Sequence, residues 1–418
     1  MSPVRRTPRV PTRIESTSRT TYLREVAGAL WPHPLTTSIG PDIAAPGRLV
    51  REFIVVPNAR KPRLLLPAQS PRAAATAVRR YSEPRSRLAR FRLELLALSM
   101  RTGAGGSLLR DRLHVRAEHG DDEDSIESYL SSALGQEVLV SLHVGPARAN
   151  RKPVLALLSP KGELVGFAKI GINELTRRLV LAEAASLTAL ASFPFQYTSI
   201  PGLLHAGKWA GLEVLVQSAL PVWQSRAPLD GHRLSESMLE IAHVSGVSTD
   251  RFSSSPYRQA LSARLEGLQA SEDVRCLQEA AQAVFERAAA AMLPMGAWHG
   301  DWTPWNMASL ADTILLWDWE RFSAPAPLGF DAVHHRLQAA LVHEREEPRA
   351  AVAGCVTGAP TLLAPFGLDP ASAELTALLY LIDLGARYLH DGQAEAGARL
   401  GVLRQWLLPE LTARTAGL

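Results

Sequence analysis

Residues 298–320 read WHGDWTPWNMASLADTILLWDWE, and this stretch decides how the rest of the chain is read. It sets Asp301, Asn306 and Asp318 among tryptophans. NMASL and TILLWD are short apolar runs on either side of the pair Ala311-Asp312, the pattern of a hairpin. Such a hairpin brings Asn306, at the start of one strand, beside Asp318, at the end of the other. A carboxylate next to an amide oxygen suits magnesium, which takes hard oxygen ligands and leaves room for phosphate. Asp301, in a loop expected directly after a long helix, can accept a proton from a hydroxyl attacking phosphorus. Taken singly, each of the three is an ordinary turn or cap residue. Their order is what asks for a site.

Upstream, the pattern is strand, hairpin, helix, strand. VLVSLHV (138–144) is one strand, and KPVLALLSPKGELVGFAKI (152–170) is two strands around SPKGE. LTRRLVLAEAASLTALA has helical period and good helix formers. After PGLLHAG comes the strand LEVLVQS (212–218), then the proline-bearing linker ALPVWQSRAP. A helix over 271–293 follows, with Ser271 as its cap and Pro294 and Gly296 as its end. Further helices are expected around 331–345, 371–392 and 393–412.

The N-terminal third reads differently. REFIVVP and PRLLLPA within 21–80 are strand-like, and SRLARFRLELLALSM is a helix with Leu88, Phe91, Leu95 and Leu98 on one face. GAGG at 103–106 reads as a turn, because no phosphate-loop lysine and serine follow it. Ser125 caps a short helix, SIESYLSSAL, that Gly135 ends. NARKPRLLLP (58–67) echoes ANRKPVLALLSP (149–160), a likeness short enough to be chance.

Composition sets the bounds. The chain has 418 residues, 46% hydrophobic and 21% charged, which fits a globular protein of two or three domains or one two-lobed enzyme with an extension. Cys276 and Cys355 are too few for a disulfide framework or a multi-cysteine zinc site, and Cys276 reads as a packing residue. No run reaches the ~18 uncharged apolar residues of a membrane span. MSPVRRTPRVPTRIESTSRT lacks the apolar segment of a secretory signal and reads as a disordered basic tail, so the expected location is cytoplasmic. The net charge is +4, and residues 72–116 carry eleven arginines against Glu83, Glu94 and Asp111. The acidic run EHGDDEDSIE follows, and adjacent blocks of opposite sign neutralise each other more readily than they bind nucleic acid. His334, His335 and His343 do not have metalloprotease spacing, since HEREE is not HExxH, and they read as surface or packing histidines.

The order H-G-D-x-x-x-x-N, short hairpin, apolar strand, D-W-E resembles the catalytic and metal loops of the aminoglycoside phosphotransferase and choline kinase-like family. The resemblance covers about residues 135–400. It implies an α+β, protein-kinase-like two-lobed fold with a small β-rich N-lobe (135–222) and a mainly helical C-lobe (223–418). Residues 21–134 form an N-terminal α/β extension outside the resemblance, behind the tail at 1–20. By the resemblance, Asp301 matches the catalytic aspartate, and Asn306 and Asp318 match the magnesium ligands. Lys169, ending GELVGFAKI, matches the lysine that grips the ATP α- and β-phosphates, and Glu183 in LAEAASL matches the acid that orients it. LVQSALP matches the hinge, where backbone near Ser218 and Leu220 reads adenine. Asp331 in PLGFDAVHH matches a further aspartate with a structural role, and His299 braces the loop.

The function implied is ATP- and Mg2+-dependent transfer of a phosphoryl group to a hydroxyl of a small molecule. Only twelve residues separate Asp318 from Asp331, with no A-P-E motif, which leaves no room for a protein-kinase activation segment. The acceptor expected is an amino sugar, sugar or amino alcohol, Glu320 favouring a cationic one, with 225–265 as a wall of its site. HVGPARANRK, in the place of the phosphate-covering loop, departs from the family in having one glycine, Gly145. That departure motivates the rival reading, a weak or inactive kinase-like nucleotide-binding or scaffold protein. A nucleic-acid-associated protein using 72–116 is a third reading, whose mark is steep salt dependence.

Overall fold

The computed structural model describes residues 13–40, 46–81, 87–117, 124–145, 151–392 and 403–416. Contacts divide the chain into two compact units. The first runs to residue 147 and takes up 151–177 and 204–219, and the second holds 178–203 and 220–418, with residues 148–150 assigned to it.

The first unit is built on one nine-stranded sheet. Its elements in chain order are α1 (Arg13–Leu30), β1 (Leu35–Gly40), β2 (Arg48–Val56), β3 (Leu64–Pro67), α2 (Pro71–Tyr81), α3 (Arg87–Arg101), α4 (Ala104–Leu108) and β4 (Arg112–Ala117). They continue through α5 (Ile126–Leu134), β5 (Leu139–His143), β6 (Val154–Leu158) and β7 (Leu164–Gly171). Next are α6 (Glu174–Leu190), whose later turns belong to the second unit, and β8 (Thr198–Ser199), which lies wholly in it. β9 (Leu203–Trp209) and β10 (Leu212–Ser218) complete the sheet, whose order is β1-β4-β2-β3-β5-β6-β7-β10-β9.

The apolar runs at β2 and β3 are continuous because both faces of the sheet are covered there. Phe53, Val55 and Leu65 point into a core with Leu23, Val26, Leu30 and Trp31 of α1 and Ile126 and Leu130 of α5. Ile54, Leu64 and Leu66 alternate to the other face, against Ala73, Ala77 and Val78 of α2 and Ala97 and Met100 of α3. The first core also takes Val140, Leu142, Leu155, Leu157, Val214 and Val216, so strands on both sides of residue 134 share one interior. β3 pairs directly with β5, Leu64 opposite His143 and Leu65 opposite Leu142. The sheet therefore runs unbroken across the boundary expected at 134/135.

Several local expectations change. Residues 13–20, expected in a tail, open helix α1. GAGG is the start of the one-turn helix α4, where Gly105 is buried against the side chains of Met100 and Ser99. LLHAG is part of β9, an alternating strand beside β10. The apolar face of α3 expected from its period is turned to solvent. α5 forms as expected, with the Ser125 hydroxyl accepting from Ser128 N and Gly135 closing the helix at a φ of 64°. The acidic stretch 118–123, residues 146–150 of the phosphate-covering segment and the expected helix over 393–402 lie outside the described residues.

The second unit is mainly helical. It contains α7 (Gly231–Ala242), β11 (Ser248–Arg251), α8 (Pro256–Glu266), α9 (Glu272–Ala288) and β12 (Met292–Trp298). The hairpin β13 (Met307–Ser309) and β14 (Ile314–Leu316) and the strand β15 (Ser323–Pro327) follow. Last come α10 (Phe330–Gln338), α11 (Pro348–Thr357), α12 (Ala359–Leu363), α13 (Pro370–His390) and α14 (Leu408–Thr415). β12 lies between β11 and β15, and β14 pairs with β13 and, in parallel, with β8.

The helix expected to run to 293 stops at 288 although alanines continue past it. Pro294 and Gly296 lie inside strand β12 instead of ending a helix. Pro294 cannot donate to a helical ladder. A Cβ on Gly296 would come within 2.6 Å of the Ala242 carbonyl, so the strand lies hard against the end of α7. Asp301 consequently follows a strand and not a long helix.

Candidate active site

β12 delivers His299, Gly300 and Asp301 in succession. Gly300 turns the chain with a φ of 82°, and a Cβ there would run into the Arg321 backbone, so only glycine fits. The turn is held from beneath. His299 N donates to Asp331 Oδ2 at 2.7 Å and Gly300 N donates to Asp331 Oδ1 at 3.1 Å. Asp331 stands in the first turn of α10, and burial pushes its carboxyl up to about 7, against the pull of those two N–H donors. From α13, Arg387 Nη1 donates to the Gly300 carbonyl at 2.5 Å.

Asp301 is gripped at both carboxylate oxygens. His334 Nε2 donates to Oδ1 at 3.0 Å, and Asn306 Nδ2 donates to Oδ2 at 2.8 Å and to the Asp301 carbonyl at 3.0 Å. The other ring nitrogen of His334, Nδ1, accepts from the Tyr380 hydroxyl at 2.8 Å. His334 is fully buried, whereas 34% of the Asp301 side chain is open to solvent. The carboxylate is thus walled by protein with an accessible rim. Its enclosure favours the neutral acid, but the His334 hydrogen bond and the Arg387 charge outweigh that and hold it below the ordinary carboxylate range. Burial pushes His334 down as well, so near neutral pH it is an uncharged donor.

His299 closes the loop from within. Its Nδ1 accepts from Asp301 N at 3.2 Å, which leaves Nε2 to donate to the Trp317 carbonyl at 3.1 Å. It meets Trp319 edge to face at 4.6 Å. Burial pushes its pKa down to about 4. Trp302 and Trp319 are core residues, while Trp305 is exposed and stacks on His343 at 6.3 Å.

The hairpin forms as the spacing requires, Met307 opposite Leu316 and Ser309 opposite Ile314, and Trp317 N donates to the Asn306 carbonyl at 3.0 Å. Asn306 is buried with its amide nitrogen turned to Asp301, which directs its amide oxygen elsewhere. Asp318 takes the left-handed conformation, φ 69° and ψ 58°, which aspartate tolerates better than most non-glycine residues. The carboxylates of Glu183, Asp318 and Glu320 converge, with oxygens all within 4.8 Å of one another. Glu183 Oε1 also accepts from Trp319 N at 3.3 Å. This all-oxygen set is of the hard type that magnesium takes.

The remaining expected residues are placed as follows. Lys169 is buried on β7, opposite Val154 and Leu215, in the first unit. Glu183 is buried on α6 in the second. Ser218 ends β10, and the chain passes from the first unit to the second between Ala219 and Leu220. Leu220 packs with Val222 and Trp317 against Ala308, Leu310 and Leu315. The wall expected at 225–265 comprises α7, β11 and α8, with Asp230 capping α7 through Arg233 N at 2.8 Å. Glu320 turns into the carboxylate cluster, which removes it as a reason for a cationic acceptor.

Three residues around Asp301, namely His334, Tyr380 and Arg387, escape the sequence reading. His334 reads as packing in the sequence, yet it holds the Asp301 carboxylate. Tyr380 and Arg387, both on α13, carry no local signal at all. The one available clue is that His334 stands three residues after Asp331, on the same face of one helix.

No protein-family model matches the sequence, and no curated protein matches it. Among solved structures, choline kinase LicA from Streptococcus pneumoniae is similar, with a TM-score of 0.44 and 17% identity over 70% of this chain and 98% of that one. A thermostable mutant of aminoglycoside phosphotransferase APH(4)-Ia has a TM-score of 0.42 and 15% identity, over 70% of this chain and 98% of that one. A choline/ethanolamine kinase family protein from Mesorhizobium loti has a TM-score of 0.40 and 15% identity, over 65% and 87% of the two chains. Identity and overlap at this level carry no residue role into this chain. The chain has an antiparallel-sheet unit and a helical unit, an α+β architecture, and it resembles the aminoglycoside phosphotransferase and choline kinase-like family.

Proposed function

We propose that this chain is an ATP- and Mg2+-dependent phosphotransferase that moves the γ-phosphoryl group of ATP to a hydroxyl of a small molecule. One observation carries the reading. Asp301 is a solvent-reaching carboxylate fixed by His334 and Asn306, and the chain proceeds from it directly into a hairpin that ends at a carboxylate cluster. A packing aspartate has no need of a buried histidine on one carboxylate oxygen and an asparagine on the other.

In this reading the acceptor hydroxyl donates to the open rim of Asp301. As its oxygen bonds to the γ-phosphorus and the bond to the β,γ-bridging oxygen breaks, the hydroxyl proton passes to Asp301, leaving ADP and a phosphate ester. His334 and Asn306 keep the carboxylate ionised and aimed. Magnesium, when bound, would neutralise phosphate charge, and the Asn306 amide oxygen and Asp318, with Glu320 and Glu183 near by, are the donors that fit it. Lys169 is assigned to the α- and β-phosphates, Glu183 to its orientation, and backbone at Ser218 and Leu220 to adenine. Trp305, exposed between Asp301 and Asn306 and backed by His343, offers a flat apolar face to an acceptor ring. We assign the reaction to the cytoplasm, where ATP is available as donor.

A phosphate-transfer screen over aminoglycosides, amino alcohols, simple sugars and nucleosides tests the proposal. Wild type should phosphorylate at least one class. Asp301→Asn should lower turnover by about a thousandfold or more while still binding nucleotide. Full turnover in that variant would show that Asp301 is not the base.

A further inference from the structure

Helix α3 presents a seam of exposed apolar side chains that no element among the described residues covers. Leu88, Phe91, Leu95 and Leu98 are 58%, 60%, 50% and 53% exposed, although its inward residues Ala97 and Met100 are buried against α2 and the sheet. The four stand three, four and three residues apart, the spacing by which one helix packs against another. Contiguous exposed apolar side chains of this kind mark interaction sites. Charge flanks the seam. Arg87, Arg90, Arg92 and Arg101 are exposed and, among the described residues, none has an ion-pair partner, whereas Glu94 is tied to Arg79 at 3.0 Å.

These features discriminate between occupants. A second copy of this chain would bring arginine flanks against arginine flanks, which opposes self-pairing. A membrane-lying helix buries a broad apolar face, whereas the exposed large apolar residues of α3 are the four of the seam, Leu93 and Leu96 being partly buried against the core beneath. We infer that α3 is a docking surface for an amphipathic helix of another protein, apolar at its own seam positions and acidic on both flanks. Apolar side chains would interlock along 88–98, and acidic flanks would pair with Arg87, Arg92 and Arg101, setting orientation and speeding encounter. The inference is independent of the phosphotransfer reading.

The test uses the full chain and a synthetic peptide of about three heptads with leucine at the seam and glutamate on both flanks. Fluorescence anisotropy should show saturable binding that weakens with salt. Leu95→Ser and Phe91→Ser, both at exposed positions and so harmless to folding, should each weaken it by about tenfold. A lysine-flanked peptide should not bind wild type but should bind Arg87→Glu/Arg92→Glu. No binding of the glutamate peptide, or binding indifferent to Leu95→Ser, overturns the inference. So does a dimer in analytical ultracentrifugation that Leu95→Ser dissociates. Leu95-dependent binding to phosphatidylserine vesicles without peptide binding overturns it in favour of a membrane.

Discussion

The two oxygens of Asp301 receive one donor each, and the donors come from opposite directions in the chain: Asn306 from the same loop, His334 from α10. The order Asp301, Asn306, Asp318 is legible in sequence because loop and hairpin are local. His334 is not, since nothing near Asp301 announces a donor 33 residues later. Removing that donor leaves enclosure unopposed on one side, so the Asp301 pKa should rise. For a base active when ionised, the acid limb of the rate profile then moves toward neutral pH. His334→Ala should show that shift with a fall in kcat of about ten- to a hundredfold, while His334→Gln, which keeps an N–H, should recover part of both. An unchanged pH profile would reduce His334 to packing. Gly300 gives a second prediction: Gly300→Ala must displace the Arg321 backbone or leave its positive φ, at a cost of about 1–3 kcal/mol and most of the activity. Thermal melts and rates on the purified variant check it.

Among the elements, those with a clean period form where expected. The strands at 139–143, 154–158, 164–171 and 212–218 and the helix at 174–190 follow alternating or helical patterns that no competing signal disturbs. β12 was obscured by the alanines of α9, whose helix propensity runs past the point where strand pairing takes over. The α3 face misleads for a different reason: periodicity locates an apolar stripe but not what covers it. Caps at Ser125 and Ser271 form as read, and the structure adds one at Asp369. Asp369 Oδ1 accepts from Ala371 N at 2.9 Å and Ser372 N at 3.1 Å, and its Oδ2 accepts from the Ser372 hydroxyl at 2.6 Å. α13 carries Tyr380 and Arg387 to the site from a far end, so Asp369→Ala should lower the denaturation midpoint slightly and leave kcat unchanged. A denaturant titration read beside the assay would expose any coupling between cap and site.

At the scale of the molecule, local pattern reveals neither the nine-stranded sheet nor its shared core, because pairings such as β3 with β5 join segments about seventy residues apart. The extension is structurally part of the first unit. A fragment spanning 135–418 would lose α1, α5 and four strands, leaving Val140, Leu142 and Leu155 uncovered, and should be insoluble. Its recovery as a cooperatively folded protein would contradict the shared core. Stability also carries a pH signature. The folded His299 titrates at about 4 against an ordinary 6.5, so the unfolded chain binds the extra proton first and stability falls as pH drops through that window. Asp331, raised from 3.8 to about 7, acts in the opposite sense, losing stability as pH rises through its own window. Relative to His299→Gln, wild type should therefore lose melting temperature faster between pH 6.5 and about 4. Nucleotide binding tests the account most directly. Calorimetric titration of ATP into the full chain should give saturable binding that requires magnesium, persists in Asp301→Asn and is lost in Asp318→Ala. No binding, or binding indifferent to both EDTA and Asp318→Ala, would contradict it.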